Sequence, residues 1–264
     1  MKIVSIEDPR AWKEYCTGLR TRHDSIGFVP TMGALHEGHT SLMKRAAREN
    51  SVAVASIFVN PTQFNDPKDL EKYPRTLDAD LKTLEAAGIS AVFLPTPSTM
   101  YPDSYRYKMI ETEFSMQLCG AHRPGHFDGV LSVVLKLLLL TQAKRAYFGE
   151  KDFQQLILIQ GLAQAYFLGA EIVPGAIVRE SDGLAMSSRN VRLSSEGRKR
   201  APLIYKTIRS VADPELAKKE LSKQGFELDY LEDRPELGGG RRLVAAFIEG
   251  IRLIDNIPLS EVGT

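Results

Sequence analysis

His36 and His39 lie three residues apart in the segment TMGALHEGHTSLM (31–43). These residue types at this spacing are compatible with a metal-binding pair, with an ordinary start of a helix, or with a site for a charged ligand. The metal-binding pair is the weakest of the three, because it supplies only two ligands and Glu37 cannot point the same way as both. Zinc proteases use HExxH, whereas this chain has HEGH.

A site for an anion accounts for more of the segment. Gly33 lets the chain turn sharply, and Gly38 removes side-chain bulk where a ligand or packed backbone comes close. The helix that follows directs unsatisfied N–H groups and the positive end of its dipole toward the same place. Both imidazoles can donate hydrogen bonds to phosphate oxygens. The segment therefore predicts a cradle for nucleotide phosphates without the lysine of a P-loop, and an ordinary helix start is the alternative.

Strands and helices that alternate along the first two thirds of the chain must position this segment. Short β-branched runs predict strands, and apolar residues at helical spacing predict helices. The predicted strands are 26–31, 51–60, 89–95, 143–149 and 171–174, and the predicted helices are 38–50, 76–87, 128–141 and 152–168. This alternation predicts a parallel sheet, whose ligands lie beyond the carboxyl ends of the strands. PTMGALHEGH, FVNPTQFN and YFGEKD each follow a strand, so we expect them to line one crevice.

The sequence changes in character after about residue 180, where polar residues and turn formers become common. The predicted elements there are helices at 195–211 and 215–223, a strand at 226–232, a loop tip at 238–240 and a hairpin at 241–256 around Glu249-Gly250. The predicted fold class is therefore α/β, with a parallel sheet that carries helices on both faces, plus a small α+β lid domain at the C-terminal end.

The composition limits the classes of partner. The chain has 264 residues, and its 34 basic and 33 acidic side chains give a net charge of +1. This balance provides no broad attraction to nucleic acid or to a membrane surface, so any bound anion needs a local site. The most apolar window, 129–140, is interrupted by Lys136 and is shorter than the roughly 20 residues that span a bilayer. It predicts a buried helix.

The two cysteines indicate the compartment. Cys16 and Cys119 match no metal or redox spacing, and we interpret them as free, half-buried thiols. Together with the lack of a recognisable signal peptide, they predict a reducing, cytoplasmic location.

Several motifs together resemble one known family. HEGH resembles the HxGH signature of the nucleotidyltransferase superfamily. The segments SIFVNPTQF, YPRTLDADL, HRPGHFDGV, YFGEKDFQQL and DGLAMSSRN occur in the same order as in the pantoate–β-alanine ligase family. RLVAAFIEGIRLIDNI resembles the closing hairpin of that family. The resemblance covers nearly the whole chain.

The resemblance implies a carbon–nitrogen ligase that condenses pantoate with β-alanine. The family uses ATP as a substrate together with Mg²⁺, and releases AMP and pyrophosphate after forming a pantoyl-adenylate. The resemblance also implies a Rossmann-like nucleotide-binding domain at 1–178, a lid domain at 179–264 and a homodimer. No nucleic acid or membrane partner is expected.

The resemblance assigns most of its site residues to ATP. His39 is the leading candidate to donate to the phosphates as charge moves onto the leaving pyrophosphate, and His36 assists. Lys151 neutralises phosphate charge, although an isolated FGEKD would indicate a surface lysine. In MSSRN two hydroxyls and a guanidinium can close on the triphosphate, and a helix cap with a solvated arginine is the alternative. The implied ATP-binding residues are Met32, Gly33, Ala34, Leu35, His36, Glu37, Gly38, His39, Gly149, Glu150, Lys151, Asp152, Val178, Met186, Ser187, Ser188 and Arg189.

Gln63 and Gln155 match the pantoate-binding glutamines of the family. Asn60 and residues 122–126 are expected to shape the same cleft, in which Arg123 can meet a carboxylate or a phosphate. For His122 and His126 we expect structural hydrogen bonds and no chemical step.

The expected Mg²⁺ has no obvious protein ligand in the sequence. We expect ATP oxygens and water to hold most of it. Asp78 and Asp80 are the nearest acidic candidates, and we interpret them as residues on the polar face of a helix.

Three other functions remain possible from the residues. They are an HxGH adenylyltransferase for a phosphorylated small molecule, a fragment of an aminoacyl-tRNA synthetase, and a non-catalytic sensor of adenine nucleotides. The intact pair Gln63 and Gln155 argues against the first and third, and the near-neutral charge argues against the second. The segment 195–240 is shorter than the family pattern, and 135–148 carries extra leucines. Both departures leave the motifs intact.

Overall fold

The computed structural model describes residues 3–22 and 25–263. These residues form two compact units. The first contains the described residues up to Glu150 together with Gln154–Gly175, and the second contains Lys151–Phe153 and the described residues from Ala176 onward. The predicted functional domains, 1–178 and 179–264, stay a prediction.

The first unit is built on a sheet of six parallel strands in the order β1-β4-β3-β2-β5-β6. The strands are β1 (Val4–Ile6), β2 (Ile26–Thr31), β3 (Val52–Ile57), β4 (Ala91–Phe93), β5 (Arg145–Gly149) and β6 (Glu171–Gly175). Strands β2 and β3 pair in register from Ile26 opposite Val52 to Thr31 opposite Ile57. The sheet predicted from the sequence is confirmed, and β1 is an additional edge strand of three residues that the sequence did not predict.

The strand order reverses at β2, which lies between β3 and β5. Such a switch point is where open α/β sheets bind ligands, beyond the carboxyl ends of the strands. Because β2, β3 and β5 are parallel neighbours, the loops that follow them leave from the same edge. The topology therefore supports the predicted crevice.

Helices cover both faces of this sheet. They are α1 (Pro9–Arg22), α2 (Glu37–Glu49), α3 (Pro67–Glu71), α4 (Leu77–Ala86), α5 (Pro97–Met100), α6 (Cys119–His122), α7 (His126–Thr141) and α8 (Phe153–Ala165). Val92 of β4 packs in one buried cluster with Leu42 of α2 and Leu84 of α4. Its neighbour Phe93 points to the opposite face and stacks on Trp12 of α1, with ring centroids 5.2 Å apart.

Helix α7 is the buried helix that the apolar window predicted. Lys136, which interrupts the run, donates to the carbonyl of Met100 at 2.7 Å and lies 4.5 Å from the centre of the Tyr101 ring. Its charge is thus compensated where it is half-buried. The helices within 3–22 and 25–263 include none with both the length and the apolar character of a membrane span.

Both cysteines are free and fully buried, so the prediction of half-buried thiols was wrong. Burial raises the pKa of Cys16 to about 12. The thiol is therefore protonated and unreactive at neutral pH.

The second unit packs three helices against an antiparallel sheet. The strands, in the order β7-β8-β9, are β7 (Glu227–Arg234), β8 (Arg241–Ile248) and β9 (Ile251–Pro258), and the helices are α9 (Ser195–Arg200), α10 (Leu203–Ser210) and α11 (Pro214–Lys223). The predicted hairpin is confirmed: Glu249 and Gly250 both have positive φ, as a two-residue hairpin turn of type I′ requires. The predicted helix 195–211 is instead two helices, because Pro202 cannot continue the hydrogen bonding of α9.

Arg242 is fully buried in this unit, and all three nitrogens of its guanidinium donate hydrogen bonds. It pairs with both carboxylate oxygens of Asp233, at 2.6 and 2.8 Å. Its remaining N–H groups donate to the carbonyls of Ile208, Val211 and Ala212, at the end of α10 and just beyond it. One guanidinium therefore ties the sheet to the helical layer.

We expect Arg242→Ala to lower the free energy of unfolding by about 3–5 kcal/mol, because it leaves a carboxylate and three carbonyls without their buried donor. Urea denaturation followed by circular dichroism measures this change. Lys218→Ala is the control, since the Lys218–Glu215 pair is exposed and should contribute less than about 1 kcal/mol. A loss of similar size in both variants would contradict the prediction.

Candidate active site

The chain reverses direction immediately after β2. Gly33 and Ala34 both lie in the left-handed region, with φ of 79° and 49°. Thr31 anchors the turn, since its hydroxyl donates to the carbonyl of Ser56 in β3 at 2.8 Å and accepts from the N–H of Gly33 at 3.2 Å. The loop therefore starts from a fixed position at the switch point of the sheet.

Asp80 of α4 holds the outer part of this loop. One carboxylate oxygen accepts the N–H of Ala34 at 3.0 Å, and the other accepts the N–H of Leu35 at 2.9 Å and the hydroxyl of Thr76 at 3.2 Å. A Cβ on Gly33 would lie 3.0 Å from the first oxygen, so the turn also needs a residue without a side chain.

The interpretation of Asp80 as a polar-face residue was therefore wrong. Its side chain is 3% exposed, and three of its roughly four acceptor positions are occupied by the protein. The carboxylate is an anchor of the loop. Asp78, two residues earlier, is exposed as the sequence predicted.

The two histidines form a reciprocal cap at the start of α2. Nδ1 of His36 accepts the N–H of Gly38 at 3.2 Å, and Nδ1 of His39 accepts the N–H of His36 at 3.3 Å. The rings lie 4.1 Å apart. Helix capping, which was the alternative to phosphate binding, is thus a real function of both side chains.

Capping also decides which ring nitrogen carries the proton. Because Nδ1 accepts in both rings, a neutral imidazole must bear its hydrogen on Nε2. The two Nε2–H groups are therefore hydrogen-bond donors at the N-terminus of a 13-residue helix, where the helix dipole already favours an anion.

Gln63 lies in the 3₁₀ helix Pro61–Gln63 that follows β3. Its side-chain oxygen accepts from Nδ2 of Asn60 at 3.0 Å, and its amide nitrogen lies 3.2 Å from the sulfur of Met32. The structure thus brings the predicted residues Met32 and Gln63 into contact, from the loops after two adjacent strands.

Asn60 is a buried support that orients Gln63. Its oxygen accepts from the hydroxyls of Thr62 and Tyr101, and its nitrogen also donates to the carbonyl of Gly129 in α7. A Cβ on Gly129 would lie 2.4 Å from the carbonyl oxygen of Thr62. The loop therefore packs directly against the backbone of α7.

The two consecutive glutamines in KDFQQ have different surroundings. Gln154 is buried, accepts from the N–H of Cys119, and donates to the carbonyls of Phe114 and Gln117. Gln155 is half-buried. Gln154 fixes the segment around α6, a function that the sequence did not reveal because its partners are more than 30 residues away.

In the second unit, Lys151 and Ser187 line one cavity together with Asn190 and Asp255. The ammonium of Lys151 lies 3.7 Å from a carboxylate oxygen of Asp152, and its side chain is 18% exposed. This exposure contradicts the alternative of an ordinary surface lysine.

The MSSRN segment belongs to a tight fold-back, in which Ala185 pairs with Arg179 as an antiparallel bridge. The N–H of Met186 donates to the carbonyl of Val178 at 3.0 Å, so these two predicted residues are adjacent. The hydroxyl of Ser187 accepts the N–H of Arg189 at 3.3 Å, and Asn190 donates to the carbonyl of Ala185. Ser188 and Arg189 are half-buried. The loop is therefore shaped by its own hydrogen bonds.

A buried ion pair supports this fold-back. Both terminal nitrogens of Arg179 bind the carboxylate of Asp255, at 2.6 and 2.9 Å, and the guanidinium lies 3.7 Å from the centre of the Tyr205 ring. Burial raises the pKa of Asp255, while Arg179 opposes that shift. No local sequence pattern indicates this pair, because its two residues are 76 positions apart.

The predicted residues thus fall into local sets that the structure brings together. The pairs are His36 with His39, Met32 with Gln63, Lys151 with Ser187, and Val178 with Met186. The roles assigned to them, and to Glu37, Gly38, Gly149, Glu150 and Asp152, stay predictions.

Comparison with known proteins identifies similar chains. The sequence profile of a family described as Pantoate-beta-alanine ligase matches residues 4–258. The chain is 55% identical over 250 residues to a pantothenate synthetase of Bdellovibrio bacteriovorus, covering 95% of this chain and 98% of that protein. It is 48% identical over 237 residues to a pantothenate synthetase of Coxiella burnetii, covering 90% of each.

A solved structure is similar over the same extent. It is a pantoate-beta-alanine ligase from Francisella tularensis in complex with beta-gamma ATP and beta-alanine. The TM-score is 0.92 at 37% identity, and the match covers 99% of this chain and all of that one.

The anchoring of the loop by Asp80 makes a testable prediction. Asp80→Asn replaces one acceptor oxygen by an NH₂ group that must face a backbone N–H, so we expect the loop to lose its shape. The affinity for a non-hydrolysable ATP analogue, measured by calorimetry, should fall roughly 10- to 100-fold, as expected for losing hydrogen bonds to a charged group. Asp78→Asn, on an exposed residue of the same helical turn, should change it less than about twofold. Equal affinities in the two variants would show that the anchor is unimportant for binding.

Proposed function

The chain belongs to the pantoate–β-alanine ligase family, and on that premise we propose how its residues divide the work of the reaction. It is a ligase that condenses pantoate with β-alanine and cleaves ATP. The observation that carries the assignment of roles is the pair of Nε2–H donors at the start of α2, at the switch point of the sheet.

The chemistry explains why such donors matter. A carboxylate is a poor acylating agent, and its direct condensation with an amine is unfavourable in water. In the proposed path, the pantoate carboxylate attacks the α-phosphate, pyrophosphate leaves, and the amine of β-alanine displaces AMP from the pantoyl-adenylate. No nucleophile from the protein is needed. The protein has to orient the reactants and stabilise the charge that develops on phosphate oxygens.

His39 and His36 are the proposed catalytic donors. Their Nε2–H groups stabilise negative charge as it moves onto the leaving pyrophosphate, and the first N–H groups of α2 add to the same field. The backbone from Met32 to His39 carries ATP. The N–H groups of Ala34 and Leu35 are taken by Asp80, so these two residues contribute the shape of the loop.

Lys151 is the third proposed catalytic residue, and its ammonium offsets charge on the α- and β-phosphates. Ser187, Ser188 and Arg189 contribute hydroxyls and a guanidinium to the triphosphate. Val178 and Met186 are assigned to the nucleotide as packing contacts. Gly149, Glu150 and Asp152 flank Lys151 in the sequence and are assigned to ATP together with it.

Pantoate binds through the amides of Gln63 and Gln155, with Met32 as part of an apolar wall. The contact of the Gln63 amide with the Met32 sulfur supports this proposal, since it sets a polar group beside an apolar surface. Such a pair suits a ligand that carries hydroxyls next to a gem-dimethyl group.

Mg²⁺ is proposed as a companion of ATP. Among residues 3–22 and 25–263, no three His, Cys, Asp or Glu side chains are grouped as metal ligands, and the oxygens of Asp80 are occupied by the loop. The proposed ligands of the ion are phosphate oxygens of the nucleotide and water, as Mg²⁺ prefers. When bound, the ion would neutralise phosphate charge.

The domain functions, the assembly and the location complete the proposal. Residues 1–178 bind the nucleotide and 179–264 act as a lid. The homodimer rests on the resemblance, and the cytoplasmic location rests on two free cysteines without a metal or redox spacing.

One coupled assay tests the function. Purified protein with ATP and Mg²⁺ should form AMP only when pantoate is present, and with both acids it should consume β-alanine and release AMP in equal amounts. Pyrophosphate and AMP are measured together with the two acids. Steady-state AMP release that is independent of either acid would rule out the reaction.

His39→Ala tests the proposed donor. Removing one preorganised donor should lower kcat about 10²- to 10³-fold, while ATP binding weakens less, because the charge develops only during the reaction. Lys44→Ala is the control on the exposed part of the same helix and should retain nearly full turnover. An unchanged kcat in His39→Ala would remove this residue from the mechanism.

A further inference from the structure

The backbone carbonyl of Gln63 is held by two side chains from the HRPGH segment. Nδ1 of His126 lies 2.8 Å from this oxygen, and one terminal nitrogen of Arg123 donates to it at 3.2 Å. The other terminal nitrogen of Arg123 lies 3.0 Å from Nε2 of His126. The three groups form a closed triangle around a single carbonyl oxygen.

The partners fix the protonation of the His126 ring. A carbonyl oxygen only accepts, so Nδ1 must donate to Gln63. A guanidinium only donates, so Nε2 must accept from Arg123. The ring is therefore neutral with its hydrogen on Nδ1, the opposite tautomer to the one that helix capping imposes on His36 and His39.

The local structure presents both side chains to this oxygen. Gly125 has a φ of 76°, which lets the chain turn between Arg123 and the first residue of α7. His126 is buried and packs against Phe127 with ring centres 4.8 Å apart. The ring is thus fixed by packing as well as by hydrogen bonds.

Gln63 is consequently fixed at both ends. Asn60 holds the oxygen of its side chain, and His126 with Arg123 holds its main chain. A glutamine side chain has three rotatable bonds, so an amide that selects a substrate must have its backbone and its tip restrained together. The triangle supplies the backbone restraint.

We propose that Arg123 and His126 are positioning residues for pantoate, which act through the carbonyl of Gln63 without touching the reacting atoms. The inference rests on the proposed function of Gln63 as a pantoate ligand. It replaces the expectation that Arg123 meets a carboxylate or a phosphate.

Steady-state kinetics on matched variants test the proposal. An asparagine places its amide near the position of Nδ1, whereas a glutamine places it near Nε2. We expect His126→Gln and Arg123→Gln to raise KM for pantoate about tenfold or more, with KM for ATP changed less than twofold. His126→Asn should recover most of the loss. Arg106→Gln, on an exposed arginine, is the control and should leave both constants unchanged.

Equal rises in KM for ATP and pantoate, or equal behaviour of the asparagine and glutamine variants, would overturn the proposal. An enzyme whose AMP formation ignores pantoate would overturn the proposed function and this inference together. A pantoate-dependent enzyme whose KM for pantoate is unmoved in both glutamine variants would overturn the inference alone.

A measurement on the unaltered protein keeps the test independent of folding. Histidine labelled with ¹⁵N in the ring distinguishes protonated from unprotonated nitrogens by NMR at neutral pH. We expect hydrogen on Nδ1 of His126 and on Nε2 of His36 and His39, with each ring assigned through its own backbone signals in the same protein. Hydrogen on Nε2 of His126 would overturn the proposed triangle.

Discussion

The hydrogen bonds that the Asp80 carboxylate accepts from the loop after β2 are the interaction on which the geometry of the candidate site in the first unit depends. Two consecutive residues in the left-handed region turn the chain after β2. In this turn the N–H groups of Ala34 and Leu35 donate to a side chain, as they belong to no helix or strand. A buried acceptor with a full charge satisfies both, and hydrogen bonds to a charged group are stronger than neutral ones. Because the loop ends at His36, the cap of α2, the position of this carboxylate also determines where the helix begins.

The same residue type serves two functions because the backbone decides which ring nitrogen carries the proton. At the start of α2, main-chain N–H groups occupy Nδ1 of two histidines, and the remaining donors are the Nε2–H groups. At the start of α7, a main-chain carbonyl and a guanidinium occupy both nitrogens of His126. The first arrangement leaves a hydrogen on Nε2, which is the proposed donor to a ligand, whereas the second binds both ring nitrogens to groups of the protein. The sequence motifs alone cannot separate these functions, because the tautomer of each ring depends on its hydrogen-bond partners in the folded protein.

Local sequence patterns predicted the sheet, the long buried helix and the Glu249-Gly250 hairpin, because each depends on neighbours in the chain. The supports of the site were missed because their partners are distant. Asp80 occupies a position that an amphipathic helix normally exposes, and its carboxylate instead binds the loop 45 residues earlier. Gln154 and Gln155 have the same chemistry, yet α6 makes one of them structural. The single helix predicted across Pro202 was wrong for a local reason. The prediction followed the helical spacing of the apolar residues and gave too little weight to proline, which removes a backbone donor.

Three cationic side chains of the second unit, Arg179, Arg242 and Lys151, differ in how strongly carboxylates of the protein compensate their charge. Arg179 and Arg242 each bind both oxygens of a carboxylate at 2.6–2.9 Å, and their guanidinium groups are tied further to main-chain carbonyls. Lys151 forms an ion pair at 3.7 Å with Asp152, a carboxylate whose side chain is 49% exposed. The carboxylate of this pair is exposed and the distance is long, so the pair contributes little, and the ammonium would lose little in the proposed exchange of that partner for a phosphate. The flexible, compact charge of a lysine suits such an exchange, whereas the rigid guanidinium suits a permanent pair. This contrast supports the assignment of Lys151 to the substrate, and of Arg179 and Arg242 to the fold.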